Sequence, residues 1–268
     1  MRLLTWNVQW CRGIDGAVDP ARIAREARRF DADVMCFQEV SVGFTDLPGS
    51  HGEDQVALLE RELPGYALVF APAVDIPGPG GRNRFGNVLA SRLPVGRVLR
   101  HALPWPATQA PSMPRIALEA VILDPAGAVR VTTTHLEYYS SGHRTAQIER
   151  LRELHDDTNR EDSKGENEGP YRRQARPQSA IVCGDFNLPP DDPLHARFSE
   201  AFVDAWQALH PGQPHPHTFR VHERGEGQSP YCCDYVFVTR DLAPRLRSIS
   251  VDAANQASDH QPVMIDLA

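Results

Sequence analysis

The sequence predicts a mixed α/β (α+β) fold in which β-sheets are covered on their outer faces by helices. Three observations predict it. Short apolar runs rich in β-branched residues recur along the chain. Amphipathic stretches fall between some of them. Two of the runs, 117–123 and 129–136, are joined through Asp124-Pro125-Ala126-Gly127. That junction reads as a hairpin, which an array of pure βαβ units does not contain.

Taken in order, the strand-like runs are 3–8, 34–40, 67–71, 87–91, 117–123, 129–136, 180–183, 235–239, 248–251 and 263–267. Helical spacing appears over 20–30, where Asp19 is placed to cap and Ile23, Ala27 and Phe30 share a face. It recurs over 54–63, which stops before Pro64, over 143–155 with Ile148, Leu151 and Leu154, and over 192–202. Three stretches read as surface loops: 72–84, rich in Gly and Pro; 103–115, rich in Pro; and 156–179, charged and nearly free of aliphatic residues. The last reads as a mobile insertion in a single domain spanning 1–268.

A domain of 268 residues buries enough surface to need neither disulfides nor structural metal. The formal net charge of −7 argues against coating nucleic acid by bulk electrostatics, although a local basic patch is compatible with it. No apolar run reaches the ~18–20 residues of a membrane span. The first residues turn polar too quickly for a signal peptide. Five cysteines, odd in number and without metal-type spacing, read as buried thiols in a reducing cytoplasm.

Polar residues cluster where the apolar runs end: Asn7, Gln38-Glu39, His135, Asp185-Phe186-Asn187, Asp234 and Ser258-Asp259-His260. Singly, each has an ordinary explanation. Asn7 and Asp259 suit turns, Glu39 suits a surface, and His135 suits a hydrogen-bonded core. Asp185 and Asn187 are harder to dismiss, because spacing of two puts both on one side of an extended backbone. Together the set suits metal-assisted hydrolysis of a phosphate ester. Glu39 and Asn7 offer the hard oxygen ligands that Mg²⁺ prefers. Asp185 can take a proton from water, with Asn187 orienting that water. His135 and His260 can donate to developing phosphate charge, and an Asp partner would keep one of them charged. Zinc fits less well, with no His-x-x-x-His or Cys pair.

The ordered motifs Thr5-Trp6-Asn7, Gln38-Glu39, Gly86-Asn87, Thr134-His135-Leu136, Gly184-Asp185-Phe186-Asn187, Asp234-Tyr235-Val236-Phe237 and Ser258-Asp259-His260-Gln261-Pro262-Val263 span nearly the whole chain. With them the chain resembles the endonuclease/exonuclease/phosphatase superfamily. The resemblance implies a four-layer sandwich of two mixed β-sheets flanked by helices, with the site at one end. It implies Glu39 as the main Mg²⁺ ligand, Mn²⁺ substituting, with Asn7 nearby and Asp259 reaching the metal directly or through water. Asp185 and Asn187 would handle the attacking water, and His260, oriented by Asp234, would contact the scissile phosphate with His135 opposite. Asn87 and Arg115 would make phosphate-side contacts. Thr134-His135-Leu136-Glu137 followed by Arg144-Thr145-Ala146-Gln147 is similar to the tyrosyl-DNA phosphodiesterase 2 branch, except that Tyr138-Tyr139 replaces small residues.

The leading expectation is a cytoplasmic phosphodiesterase using direct in-line attack by water. A DNA or RNA endonuclease, exonuclease or repair phosphodiesterase, a sphingomyelinase-like enzyme, an inositol-phosphate phosphatase, and a binding module without chemistry are the alternatives. Three further clusters read more plainly. Arg22, Arg25, Arg28 and Arg29 form a solvated helix face. Tyr171, Arg172, Arg173 and Arg176 sit on the 156–179 loop, where they could guide a phosphate. His210, His215 and His217 fall in an exposed Pro-rich loop, a second metal being the sharper reading.

Overall fold

A computed structural model of the chain describes residues 1–159, 168, 169, 172, 174, 176–222 and 229–268. Its strands are β1 (Arg2–Asn7), β2 (Val34–Val42), β3 (Ala67–Gly78), β4 (Gly81–Ser91), β5 (Val95–Ala102), β6 (Ile116–Asp124), β7 (Gly127–His135), β8 (Ala180–Asp185), β9 (Val203–Asp204), β10 (Asp234–Val238), β11 (Leu246–Val251) and β12 (Val263–Leu267). The helices are α1 (Pro20–Arg28), α2 (Gln55–Glu62), α3 (Ser141–Asp156), α4 (Pro193–Ser199) and α5 (Ala205–Leu209).

The strands form two six-stranded mixed sheets, ordered β11-β12-β1-β2-β4-β3 and β5-β6-β7-β8-β10-β9. Each sheet holds one parallel pair near its centre, β1 with β2 and β7 with β8, among antiparallel neighbours. Leu3, Val34, Cys36 and Leu89 of the first sheet meet Leu118, Val131, Ile181 and Val236 of the second in the inner core. The alternate residues face outward. Leu4, Trp6, Met35 and Phe37 pack under Ile23 and Ala27 of α1 and Leu59 of α2. Val182 and Phe237 pack under Ile148 and Leu151 of α3 and Phe198 of α4. The period-two alternation of strands and the one-sided apolar stripes of the helices thus produce four layers. Fully burying each large apolar side chain is worth roughly 1.5–3 kcal/mol.

The register brings polar strand ends to one edge. Asn7 lies opposite Gln38, His135 opposite Asp185, and Asp185 opposite Asp234. Hydrogen bonds cross between the sheets there, among them those from Gln38 Nε2 to Thr133 Oγ1 (2.8 Å) and from Asn87 Nδ2 to the Ile116 carbonyl (3.0 Å).

Several expectations are corrected. Residues 72–84 are not a surface loop but the outer arms of the β3–β4 hairpin, paired down to Gly78 and Gly81. An edge strand tolerates its prolines, because half its backbone needs no ladder partner. β5, β9 and the five-residue α5 were not marked by the apolar pattern. Asp19, Asp54, Ser140 and Asp192 cap α1 to α4. The stretch 103–115 has no regular structure. The insertion read over 156–179 falls in large part outside the described residues, as do Tyr171 and Arg173. Arg176 is described, and its side chain is held by the protein itself. Its guanidinium is bound to buried Glu119 at 2.7 and 3.1 Å, on the sheet rather than in solvent. All five cysteines are buried and free. Among the described residues no helix is long and apolar enough to cross a membrane.

Candidate active site

A cleft of about 440 Å³ opens where the parallel strands of both sheets end. Glu39, His135, Asp185, Asn187, Asp259, His260 and Arg115 all line it. Asn7, Asn87 and Asp234 lie behind this surface, buried at 0, 2 and 3% exposure.

Glu39 reaches the cleft through a β-bulge. Cys36 and Gln38 point between the sheets, so simple alternation would turn Glu39 outward. The β2–β4 register shifts between Phe37 and Val40, and Glu39 adopts φ +62°. The extra residue re-aims its carboxylate into the site, a strained conformation of the kind that clusters at functional positions. Asp185 arrives at the end of β8. Gly184 precedes it with φ +132°, hard against the Thr134 carbonyl where a Cβ would collide. Asn187 does not continue an extended strand as its spacing suggested. It takes φ +51°, and its backbone N–H donates to Asp185 Oδ1 at 2.9 Å. A turn, not an extended strand, puts both on the cleft; the Asn187 side-chain nitrogen donates to the Leu136 carbonyl.

Asn7 joins the two sheets' carboxylates. Its Nδ2 donates to Glu39 Oε1 and to Asp185 Oδ2, both at 3.0 Å. Its oxygen, expected to face a cation, instead accepts from the Gln9 N–H. His135 Nε2 lies 3.5 Å from Asp185 and 3.9 Å from Glu39. His260 Nδ1 donates to Asp234 Oδ2 at 2.9 Å, and Nε2 lies 3.7 Å from Asp185. Phe219 lies against the His260 ring, with centroids 4.4 Å apart. Asp259 accepts from Gln9 Nε2 at 2.7 Å.

The electrostatics separate the two histidines. Burial disfavours an imidazolium at both. At His135 it prevails, aided by Arg115 and His260, and the ring is held neutral. At His260 the carboxylates of Asp234 and Asp185 outweigh burial and raise the imidazole to about 10. Burial also raises Glu39, and raises Asp185 to about 6 despite the neighbouring imidazolium.

Glu39, His135 and Asp185 offer ligand atoms that all lie within 4.8 Å of one another. The donor set fits a divalent cation. Two carboxylates whose charge is disfavoured by burial gather around one point, and positive charge there would relieve them. Asp259 stands outside this triplet.

Asn87 is not on the cleft surface. Its amide nitrogen is taken by Ile116, next to Arg115, so it braces that wall rather than facing a substrate. Arg115 does reach the cleft. Its Nε donates to Glu137 Oε2 at 3.4 Å, and its buried Nη1 has no partner among the described residues. Nothing in the motif pattern pointed to Thr218, whose hydroxyl donates to Asp234 Oδ2 at 2.6 Å, or to Gln9 beneath Asp259. Trp10, Phe85 and Phe219 likewise form walls without a motif.

A two-sheet sandwich carrying carboxylates, a neutral histidine and a charged one in a terminal cleft is the architecture of a phosphoesterase-type hydrolase. The chain belongs to the Endonuclease/Exonuclease/phosphatase family, whose model matches residues 4–260. Members of this family hydrolyse phosphoester bonds. Among solved structures it is similar to an endonuclease/exonuclease/phosphatase from Beutenbergia cavernae (26% identity, TM-score 0.71, covering 100% of this chain and 71% of that one). A mannosyl-6-phosphatase from Bacteroides thetaiotaomicron (17%, 0.66, 100% and 99%) shares the fold. So does D. rerio TDP2, solved with a single-strand DNA product (17%, 0.65, 99% and 97%). No curated protein sequence matches significantly.

Proposed function

We propose that the protein is a Mg²⁺-dependent phosphodiesterase, Mn²⁺ substituting, that hydrolyses its substrate by in-line attack of water. The observation that carries this reading is the meeting of Glu39, Asp185 and His135 from both sheets beside an imidazolium held by Asp234. Glu39 is the principal ligand residue for the metal, with Asp259 at its margin. Asn7 holds Glu39 and Asp185 at a fixed separation instead of ligating through its oxygen. When bound, the metal supplies charge stabilisation at the phosphoryl oxygens and lowers the pKa of water.

Asp185, ionised above about 6, accepts the proton of the attacking water, and Asn187 fixes the turn that aims it. His260 stays protonated across the neutral range and donates Nε2–H to a phosphoryl oxygen. Neutral His135 donates an N–H to the phosphate rather than ligating the metal, and adds no charge. Arg115 offers its unpartnered Nη1 to the phosphate, braced through Asn87. The free, buried cysteines support a reducing, cytoplasmic setting.

The test is a panel of bis-p-nitrophenyl phosphate, plasmid and abasic DNA, sphingomyelin, inositol phosphates and phosphomonoesters, with Mg²⁺ or Mn²⁺ and with EDTA. Metal-dependent turnover of a diester is expected. Inertness towards the whole panel by folded, metal-binding protein would overturn the reading and leave a binding module.

A further inference from the structure

The cleft walls differ in kind from its floor. Among the described residues that line it, Arg115 is the one permanent cation, and Glu137 partly neutralises it. Polyphosphates and duplex backbones need a track of several cations. The walls instead carry rings. Trp10, Phe85 and Phe219 are joined at the rim by Tyr138 and Tyr139. The two tyrosines are 38% and 64% exposed, with ring centroids 4.9 Å apart and planes at 90°. Exposed aromatics gathered beside a reactive floor mark a binding surface more often than isolated ones do.

This corner is built to hold still. Glu137 Oε1 accepts from the Tyr139 N–H at 3.0 Å. Arg144 Nη1 donates to the carbonyls of Glu137 and Tyr138, both at 2.8 Å. Gln147 Oε1 accepts from the Glu137 N–H at 2.9 Å. The turn between β7 and α3 is therefore clamped from three sides, and Glu137 links it to Arg115. The backbone that carries the two rings and the guanidinium of Arg115 are tied to the same buried carboxylate.

Resting on the hydrolase reading above, we propose that Tyr138 and Tyr139 select phosphate esters that carry a planar aromatic group beside a single phosphate. The ring stacks on the tyrosines while Arg115 and the floor take the phosphate. Stacking tolerates any flat π-surface, so a nucleoside base and a simple aryl group both qualify. A flexible acyl chain gains no stacking from rings set at right angles.

The experiment compares p-nitrophenyl phosphodiesters that share a leaving group and differ in the second ester: thymidine 5′-yl, phenyl, hexyl and ethyl. The thymidine and phenyl esters are expected to exceed the ethyl ester by about tenfold in kcat/KM, mostly through KM, with hexyl near ethyl. The thymidine and phenyl arms separate a base from an aryl group. Tyr139→Ala and Tyr138→Ala should each collapse the aromatic-to-ethyl ratio, and Tyr139→Phe should keep it. Equilibrium binding of phenylphosphonate against ethylphosphonate, to the same proteins with Mg²⁺, reads the preference without turnover. Absent turnover with a phenyl preference that Tyr139→Ala removes would sink the hydrolase reading alone. A hexyl gain equal to the aromatic one, or a ratio that survives both alanine variants in turnover and binding, overturns the aromatic selection itself.

Discussion

Two buried His–Asp groups sit in the second sheet and its surroundings, and they behave differently. In one, Asp204 Oδ2 accepts from His195 Nε2 and His215 Nε2, each at 2.8 Å, while Oδ1 caps α5 by accepting from Trp206 and Gln207 N–H. Burial alone would raise that carboxyl, but the two histidines outweigh it and hold it below the usual carboxylate range. In the other, Asp234 Oδ2 accepts from His260 and Thr218, its Oδ1 has no partner among the described residues, and His260 turns its second nitrogen to the cleft. The first group is closed: the bonded atoms face one another, at a separation suited to hydrogen bonds. The second is open at one end. Residue type does not distinguish them; unmet bonding capacity facing an accessible space does.

The largest break in this comparison comes at Asp185. Asp185→Asn should lower kcat/KM by about 10³-fold while leaving Mg²⁺ binding measurable by calorimetry. The same variant should stabilise the metal-free protein. The folded carboxyl titrates near 6 against an ordinary value of 3.8, so the folded state binds the proton more tightly than the unfolded chain. Metal-free stability then falls as pH rises from about 4 to 6, and asparagine removes that loss, on the order of 2 kcal/mol at pH 7 by denaturant melts. Unchanged turnover would end Asp185's assigned role.

Glu39→Gln comes next. It keeps the size of the side chain in the bulge but removes charge, so Mg²⁺ affinity should fall by about 10–100-fold in a titration. Wild-type affinity should itself weaken as pH drops below about 6, because protons compete for Asp185.

Third, kcat/KM should rise through about 6 or somewhat lower at saturating metal, as Asp185 ionises. It should fall again near 10, as His260 loses its proton. Asp234→Asn should pull the upper limb toward neutrality and cost about 10–100-fold at the plateau. A fixed upper limb in that variant would show that Asp234 does not hold the His260 charge.

The smallest effect on chemistry is expected at the closed group. Asp204→Asn keeps the capping oxygen but puts an amide NH2 where Oδ2 accepts from both histidines, so it should cost about 1–3 kcal/mol of stability, with kcat of the folded protein unchanged. Asp204 contributes its stability above the ordinary carboxylate pKa and loses it as pH falls through its depressed value. The two aspartates should thus move stability in opposite directions at pH 7.

Much of this frame was legible along the chain. The apolar runs located β1, β2, β8 and β12 to within a few residues, because strands buried on both faces advertise themselves by continuous hydrophobicity. β5 did not, since as an edge strand it exposes Arg100 and Ala102 and is only half-buried. The outer arms of β3 and β4 hid behind Pro72, Pro77, Gly78 and Gly81, which carry turn signals even where the backbone pairs. The site set was readable as residue types at run ends. The bulge that aims Glu39, the turned amide of Asn7 and the Thr218 hydroxyl under Asp234 were not, because each depends on a partner from a distant element. His215 reversed its expected place. It belongs to a buried pair with Asp204, whereas neighbouring His217 is exposed as anticipated.

The order of residues alone settled that sheets would form and that acids, amides and histidines would stand at their ends. Hydrophobic alternation is local, and a strand must stop where it meets polar side chains. Only tertiary packing decided which His–Asp group would close on itself and which would look into a cleft. Desolvation, proton affinity and access to ligand are set by what surrounds a side chain in space, and those neighbours come from both sheets.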